Sequence, residues 1–72
     1  MAKAVTLLIQ GMHCNGCALG LRAALKKLPQ VLSADVSFKE SRAVVECDEA
    51  LLNEAVLREA VRGAGFEVAE IQ

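Results

Sequence analysis

The chain contains no tryptophan and no tyrosine, and its aromatic residues are two phenylalanines, Phe38 and Phe66. A core built from it must therefore be aliphatic. The same scarcity removes the aromatic platforms on which single-stranded nucleic acids stack. There is one proline, Pro29, and one histidine, His13, so no proline-rich linker and no low-complexity tract divides the chain. Neither sign of charge dominates: 8 basic residues stand against 9 acidic ones, for a net charge of −1. The basic residues are spread along the sequence, and nothing resembles a nucleic-acid footprint. No apolar run approaches the roughly 20 residues of a membrane span. The run from Ala4 to Ile9, interrupted by Thr6, is also too short for the core of a secretory signal with its cleavage site.

Cysteine is scarce as well. Three residues, Cys14, Cys17 and Cys47, are an odd number in a chain that is not cysteine-dense. A disulfide framework is excluded on that arithmetic, and a reducing compartment fits better than a secreted one. A cytoplasmic location is the expectation. The apolar share of 54% argues against disorder. Residues 1–72 are read as a single domain, one that hides only about 60% of its unfolded surface and is of modest stability.

Periodicity supplies the elements. Residues 3–9 read as a strand with Val5, Leu7 and Ile9 on one face. The other face (Ala4, Thr6, Leu8) is apolar enough to make this strand central. Gln10 to Cys14 is loop. A helix follows from Asn15, taken as its N-cap, with Ala18, Leu21, Ala24, Leu25 and Leu28 as an apolar stripe. Pro29 stops it. Val31–Phe38 and Arg42–Cys47 read as strands joined by the polar turn Lys39-Glu40-Ser41, an antiparallel hairpin. Asn53 caps a second helix to Arg62, with Leu57, Ala60, Val61 and Ala64 facing inward and Glu54 paired with Arg58. Gly63 and Gly65 end it, and Phe66–Ile71 is a last strand. The order is β-α-β-β-α-β.

One stretch concentrates the chemistry: Gly11-Met12-His13-Cys14-Asn15-Gly16-Cys17. Two thiols with two residues between them sit on a strand-to-helix turn, and that spacing lets both sulfurs face one point. Soft thiolates suit Cu(I), Zn(II) and similar ions. Cys17 falls in the first helical turn, where free N–H groups and the helix dipole favour negative charge and lower a thiol pKa. A thiolate pair near neutral pH is a metal clip or a redox couple. Redox CxxC motifs of the thioredoxin type carry an aromatic before the first cysteine and often a proline inside the motif. Neither is present here.

This stretch resembles the G-M-x-C-x-x-C signature of heavy-metal-associated domains. Leu25…Leu28-Pro29…Val31, Val44-Val45-Glu46-Cys47-Asp48 and Ala60-Val61…Ala64-Gly65-Phe66 extend the likeness over nearly the whole chain. The resemblance implies an α+β, ferredoxin-like βαββαβ sandwich: a four-stranded antiparallel sheet with two helices on one face. It implies Cys14 and Cys17 as ligands of a soft metal ion, Cu(I) first, with Zn(II) and Hg(II) as alternatives. It implies no enzyme chemistry. Such domains are copper chaperones, amino-terminal domains of metal-exporting P-type ATPases, and mercuric-ion carriers. The partner implied is the metal-binding domain of a P-type copper ATPase, and a homodimer bridged by shared metal is a further arrangement. The start at Met1 and the stop just past the last strand suit a free chaperone. Phe66 suits an ATPase domain, since free bacterial chaperones often carry tyrosine there.

Neighbouring residues carry plainer readings. Met12 packs beneath the loop rather than ligating, as methionine fills irregular gaps. His13 is read as a solvent-exposed bystander, although it stands where it could give a third ligand to Zn(II). The absence of Asp or Glu from positions 10–18 weighs against zinc. Cys47 belongs at the far end of its strand, a small buried hydrophobe out of reach of the loop. Phe66 is a core aromatic or a lid over the sulfurs. Leu19 and Gly20, just past the motif, mark an apolar spot where a partner could dock.

Overall fold

The structure, a computed structural model, describes all residues from Met1 to Gln72. Its elements are β1 (Ala2–Gln10), α1 (Asn15–Lys26), β2 (Val31–Ser37), β3 (Arg42–Asp48), α2 (Glu54–Gly63) and β4 (Glu67–Ile71). The strands form one sheet in the order β2-β3-β1-β4, and every neighbouring pair is antiparallel. This is the ferredoxin-like α+β plan that the element order implied. β1 is central, as its two apolar faces required. It pairs with β3 from Ala2↔Asp48 to Leu8↔Arg42 and with β4 from Gln10↔Glu67 to Leu7↔Ile71.

The core is aliphatic throughout. Val5, Leu7 and Ile9 of β1 join Ala43, Val45 and Cys47 of β3 on one sheet face. Ala18, Leu21 and Leu25 of α1 and Leu57 and Val61 of α2 close over that face in the same cluster. Burying a side chain of this size stabilises by roughly 1.5–3 kcal/mol. Phe38 and Phe66 only pack against the cluster's margin.

Four local expectations are corrected. The N-cap of α1 is Cys14, in extended conformation, and Asn15 is already helical. The Glu54–Arg58 pair does not form; the nearby ion pairs are Arg62–Glu59 at 3.6 Å and Arg62–Glu67 at 3.8 Å. The last strand begins at Glu67, because Phe66 completes the helix stop instead. Gly65, at φ +94°, turns the chain, and the Phe66 N–H donates to Val61 O at 3.1 Å. Finally, strict alternation would put Glu70 beside Val68 and Ile71 opposite. An irregularity in the β1–β4 register shifts the phase, so Ile71 packs on the core and Glu70 is exposed.

One polar side chain is buried, and it ties two connections together. Gln30 accepts from the Asn53 N–H at 2.9 Å and donates to the Asn53 carbonyl at 3.3 Å. Asn53 in turn caps α2, accepting from the Ala55 and Val56 N–H groups. The α1–β2 connection thus fixes where α2 begins. Gln30→Ala strands the Asn53 N–H, while the Asn53 carbonyl keeps its bond from the Leu57 N–H, and should cost about 1–3 kcal/mol. The reading is a lower urea midpoint at unchanged m-value; a midpoint equal to wild type would remove this role from Gln30.

Candidate metal centre

Three connections meet at one end of the molecule. β1 delivers the β1–α1 loop there, the β2–β3 turn returns beside it (the Ile9 N–H donates to Ser41 O at 2.8 Å), and α2 ends against the start of β4. Gly11 leaves β1 at φ +101°, a conformation that disfavours any side chain. A Cβ there would also meet Phe66 Cδ1 at 3.4 Å. The half-buried Phe66 ring therefore lies against the base of the loop. Met12 is buried in the core cluster, which pins the loop from below. Its sulfur is committed to packing, as expected.

Cys14 and Cys17 are brought together: their sulfurs stand 3.2 Å apart, close enough to share a proton. Both are free thiols, Cys14 exposed and Cys17 partly so. The Cys14 carbonyl opens α1 by accepting from the Cys17 N–H at 3.1 Å and the Ala18 N–H at 3.4 Å. Its side chain caps nothing, and the first turn holds no acidic residue. The first turn of α1 therefore carries no carboxylate of its own, and negative charge on the Cys17 sulfur is favoured there. A backbone hydrogen bond from His13 lowers the Cys17 pKa below its ordinary value of 9.0, helped by the Cys14 side chain and opposed by desolvation.

The remaining candidates fall apart from this pair. His13 is exposed, and no cluster of three or more His, Cys, Asp or Glu side chains able to hold a metal ion exists in the chain. Cys47 has no exposed surface and pairs in register with Lys3, at the opposite end of β1 from the loop. Burial pushes its thiol up. Leu19 is 67% exposed beside the motif. The donor set at the loop is two soft sulfurs in an open arrangement, which suits an ion content with two thiolates better than one needing a closed tetrahedral cage. The effect of the His13 backbone on Cys17 was not legible in the sequence, because it depends on the path of the loop.

The family model for the heavy-metal-associated domain matches residues 6–67. The chain belongs to the heavy-metal-associated domain family. It is 39% identical over 64 residues to the periplasmic component of a mercuric transport protein from Salmonella typhi, covering 89% of this chain and 70% of that one. It is 38% identical over 61 residues to copper-transporting ATPase 1 of Mus musculus, covering 85% of this chain and 4% of the ATPase. Among solved structures, a copper-binding domain of a P-type ATPase superposes with a TM-score of 0.90 at 33% identity, covering 100% of this chain and 95% of that one.

The two perturbed thiols predict opposite pH behaviour. Cys17, depressed when folded, holds fewer protons in the native than in the unfolded chain below pH 9.0. It adds stability as pH rises through that window and loses it as pH falls through the folded value. Cys47, raised when folded, stabilises fully below pH 9.0 and loses its contribution as pH climbs through its folded value. In the reduced, metal-free protein, iodoacetamide should alkylate Cys17 with a half-maximal pH below 9.0 and leave Cys47 untouched until denaturant is added. Native labelling of Cys47 at the rate of the loop thiols would contradict its placement.

Proposed function

We propose that the protein is a carrier of a soft metal ion, Cu(I) before others, held by Cys14 and Cys17 and handed to a partner metal-binding domain by ligand exchange. The observation that carries this reading is the exposed sulfur pair, 3.2 Å apart with no third ligand gathered beside it. A metal–sulfur bond of about 2.3 Å lets two sulfurs spread to about 4.6 Å around one ion, and the exposed Cys14 side chain is free to make that adjustment. Two thiolates leave the ion's shell open. A partner thiolate adds first, a three-sulfur state forms, and one of the original Cys–metal bonds then breaks. The ion never leaves sulfur and its oxidation state does not change.

The partner in this reading is the metal-binding domain of a copper-transporting P-type ATPase, supported by the likeness to such domains. This chain can equally be such a domain, which Phe66 favours. A bridged homodimer is the arrangement that the same exchange gives with a second copy. The thiols must stay reduced to work, which supports a cytoplasmic location. The protein's role is binding and transfer, with no catalysed reaction. The mercuric transport relative supports a second reading, Hg(II) carriage through the same two sulfurs.

Anaerobic titration of the reduced protein with Cu(I), against a competing chelator, tests the site. Tight 1:1 binding is expected in wild type, His13→Ala and Cys47→Ser. Cys14→Ser and Cys17→Ser should each lose at least tenfold in affinity, about 1.4 kcal/mol. Weak wild-type binding, or loss of binding in His13→Ala or Cys47→Ser, would overturn the two-thiolate site. Repeating the series with Hg(II) ranks the two ions.

A further inference from the structure

Two asparagines are present, Asn15 and Asn53, and the fold treats them differently. Asn53 is held: its Oδ1 accepts from the Ala55 and Val56 N–H groups, and its backbone is clasped by Gln30. Asn15 is left loose between the two thiols. It is exposed, and its carboxamide enters none of the chain's side-chain hydrogen bonds. Gly16, which follows it, is exposed too. The Gly16 N–H is one of the amides that a helix start leaves without an intrahelical partner, and no carbonyl of the chain accepts from it.

An asparagine followed by glycine is open to attack by its own chain, because glycine puts no side chain beside the attacking nitrogen. The backbone does not ask for glycine at position 16. Its φ lies outside the left-handed region, and a Cβ there would meet Cys14 Sγ at 3.6 Å, an ordinary contact. While Asn15 is helical, the Gly16 nitrogen is turned away from the carboxamide carbon, so the first turn has to open for the two to meet. Opening breaks two bonds to the Cys14 carbonyl, from the Cys17 N–H at 3.1 Å and the Ala18 N–H at 3.4 Å. Helix ends fray readily, and this one has no side-chain cap to hold it.

We infer that Asn15-Gly16 is a self-modification site, at which the empty protein converts Asn15 to aspartate or isoaspartate between its two thiols. The Gly16 nitrogen, losing its proton to base, bonds to Asn15 Cγ. The Cγ–Nδ2 bond breaks, ammonia leaves, and a cyclic succinimide remains. Water then opens the ring on either side. Cleavage of the new N–Cγ bond gives aspartate. Cleavage of the original peptide C–N bond gives isoaspartate, with the chain running through Cγ. No group is oxidised or reduced: one amide and one water become one acid and one ammonia. Either product brings a carboxylate to a turn that has none. Isoaspartate also adds one backbone atom between Cys14 and Cys17, which shifts the spacing that lets both sulfurs face one ion. The link to the ion rests on the carrier reading above. An ion bonded to both sulfurs ties the ends of this segment together and holds the turn shut, so the loaded protein is spared and the empty one ages.

The test incubates the reduced, metal-free protein at mildly alkaline pH. Peptide mass mapping, ammonia release and labelling by an isoaspartate-specific methyltransferase follow the products. A gain of one mass unit is expected at Asn15 and not at Asn53, with matching ammonia and with isoaspartate as well as aspartate. The rate should lie within about tenfold of that for the same chain in urea. Gly16→Ala should react about tenfold more slowly, about 1.4 kcal/mol of barrier, with its fold retained because a Cβ fits there. The isolated isoaspartyl form should bind Cu(I) about tenfold more weakly than fresh protein. Cu(I)-loaded protein should be modified about tenfold more slowly than empty protein. Modification of Asn53 as fast as Asn15, a native rate roughly a hundredfold or more below that in urea, an unslowed Gly16→Ala, or aspartate without isoaspartate would each overturn the site. Equal rates in loaded and empty protein, or full Cu(I) affinity in the isoaspartyl form, would overturn its link to the ion. Fresh wild-type protein that binds no Cu(I) would instead sink the carrier reading, and the modification of the metal-free protein would stand.

Discussion

The double pairing of β1 is the constraint on which the thiol end depends. β1 holds β3 on one side and β4 on the other, so the loop that leaves it emerges from the stiffest part of the sheet. The β2–β3 turn and the α2–β4 turn are then brought to the same end by register alone. A loop carried by an edge strand would have backbone groups free on one side and more room to move. Here the sulfurs ride on a short segment held at Ile9 by the Ser41 carbonyl, at Met12 by the core and at Gly11 by the Phe66 ring. The exposed residues of the loop are Gln10 and Gly11 before the buried Met12, and His13 to Gly16 after it.

Helix and strand contribute different things to the thiols. β1 fixes where they are. α1 favours the thiolate of Cys17, because its first turn carries neither a side-chain cap nor a carboxylate. Had position 14 been serine or aspartate, its side chain would have been a natural cap for the first turn. With cysteine as N-cap, the turn's positive end is left for the sulfurs and whatever they hold. The helix gives up some local stability at the point where the chemistry is wanted.

Much of this was readable from residue order. Alternation in β1 and β3, the 3.6-residue stripes of both helices, Asn53 as a cap and the burial of Met12 and Cys47 all follow from side-chain type and spacing. What escaped were features set by partners distant in sequence. The irregularity between Leu8 and Ile9 that turns Ile71 inward depends on how β4 seats on β1. The Gln30–Asn53 clamp spans 23 residues and joins two stretches that look like ordinary linkers. The Glu54–Arg58 pair failed for the opposite reason. An exposed i,i+4 contact is worth a few tenths of a kcal/mol, and Arg62, at the helix end, reaches both Glu59 and Glu67 instead. At the loop, the pattern located the sulfurs, but the lowering of the Cys17 pKa by the His13 backbone needed the fold of the loop itself.

The burial of Cys47 has a consequence for how a soft ion couples to folding. The native chain offers two sulfurs at one end and keeps the third sealed at the other. An unfolded chain has no such separation: its three thiols are free to gather round one ion, with His13 as a fourth donor. Stabilisation by a ligand depends on binding the native state and not the unfolded one, and here the unfolded state is the richer in donors. A loaded ion therefore secures this fold by less than its affinity for the loop. The packing that hides Cys47 keeps the denatured chain's third thiolate out of competition for the cargo while the protein stays folded.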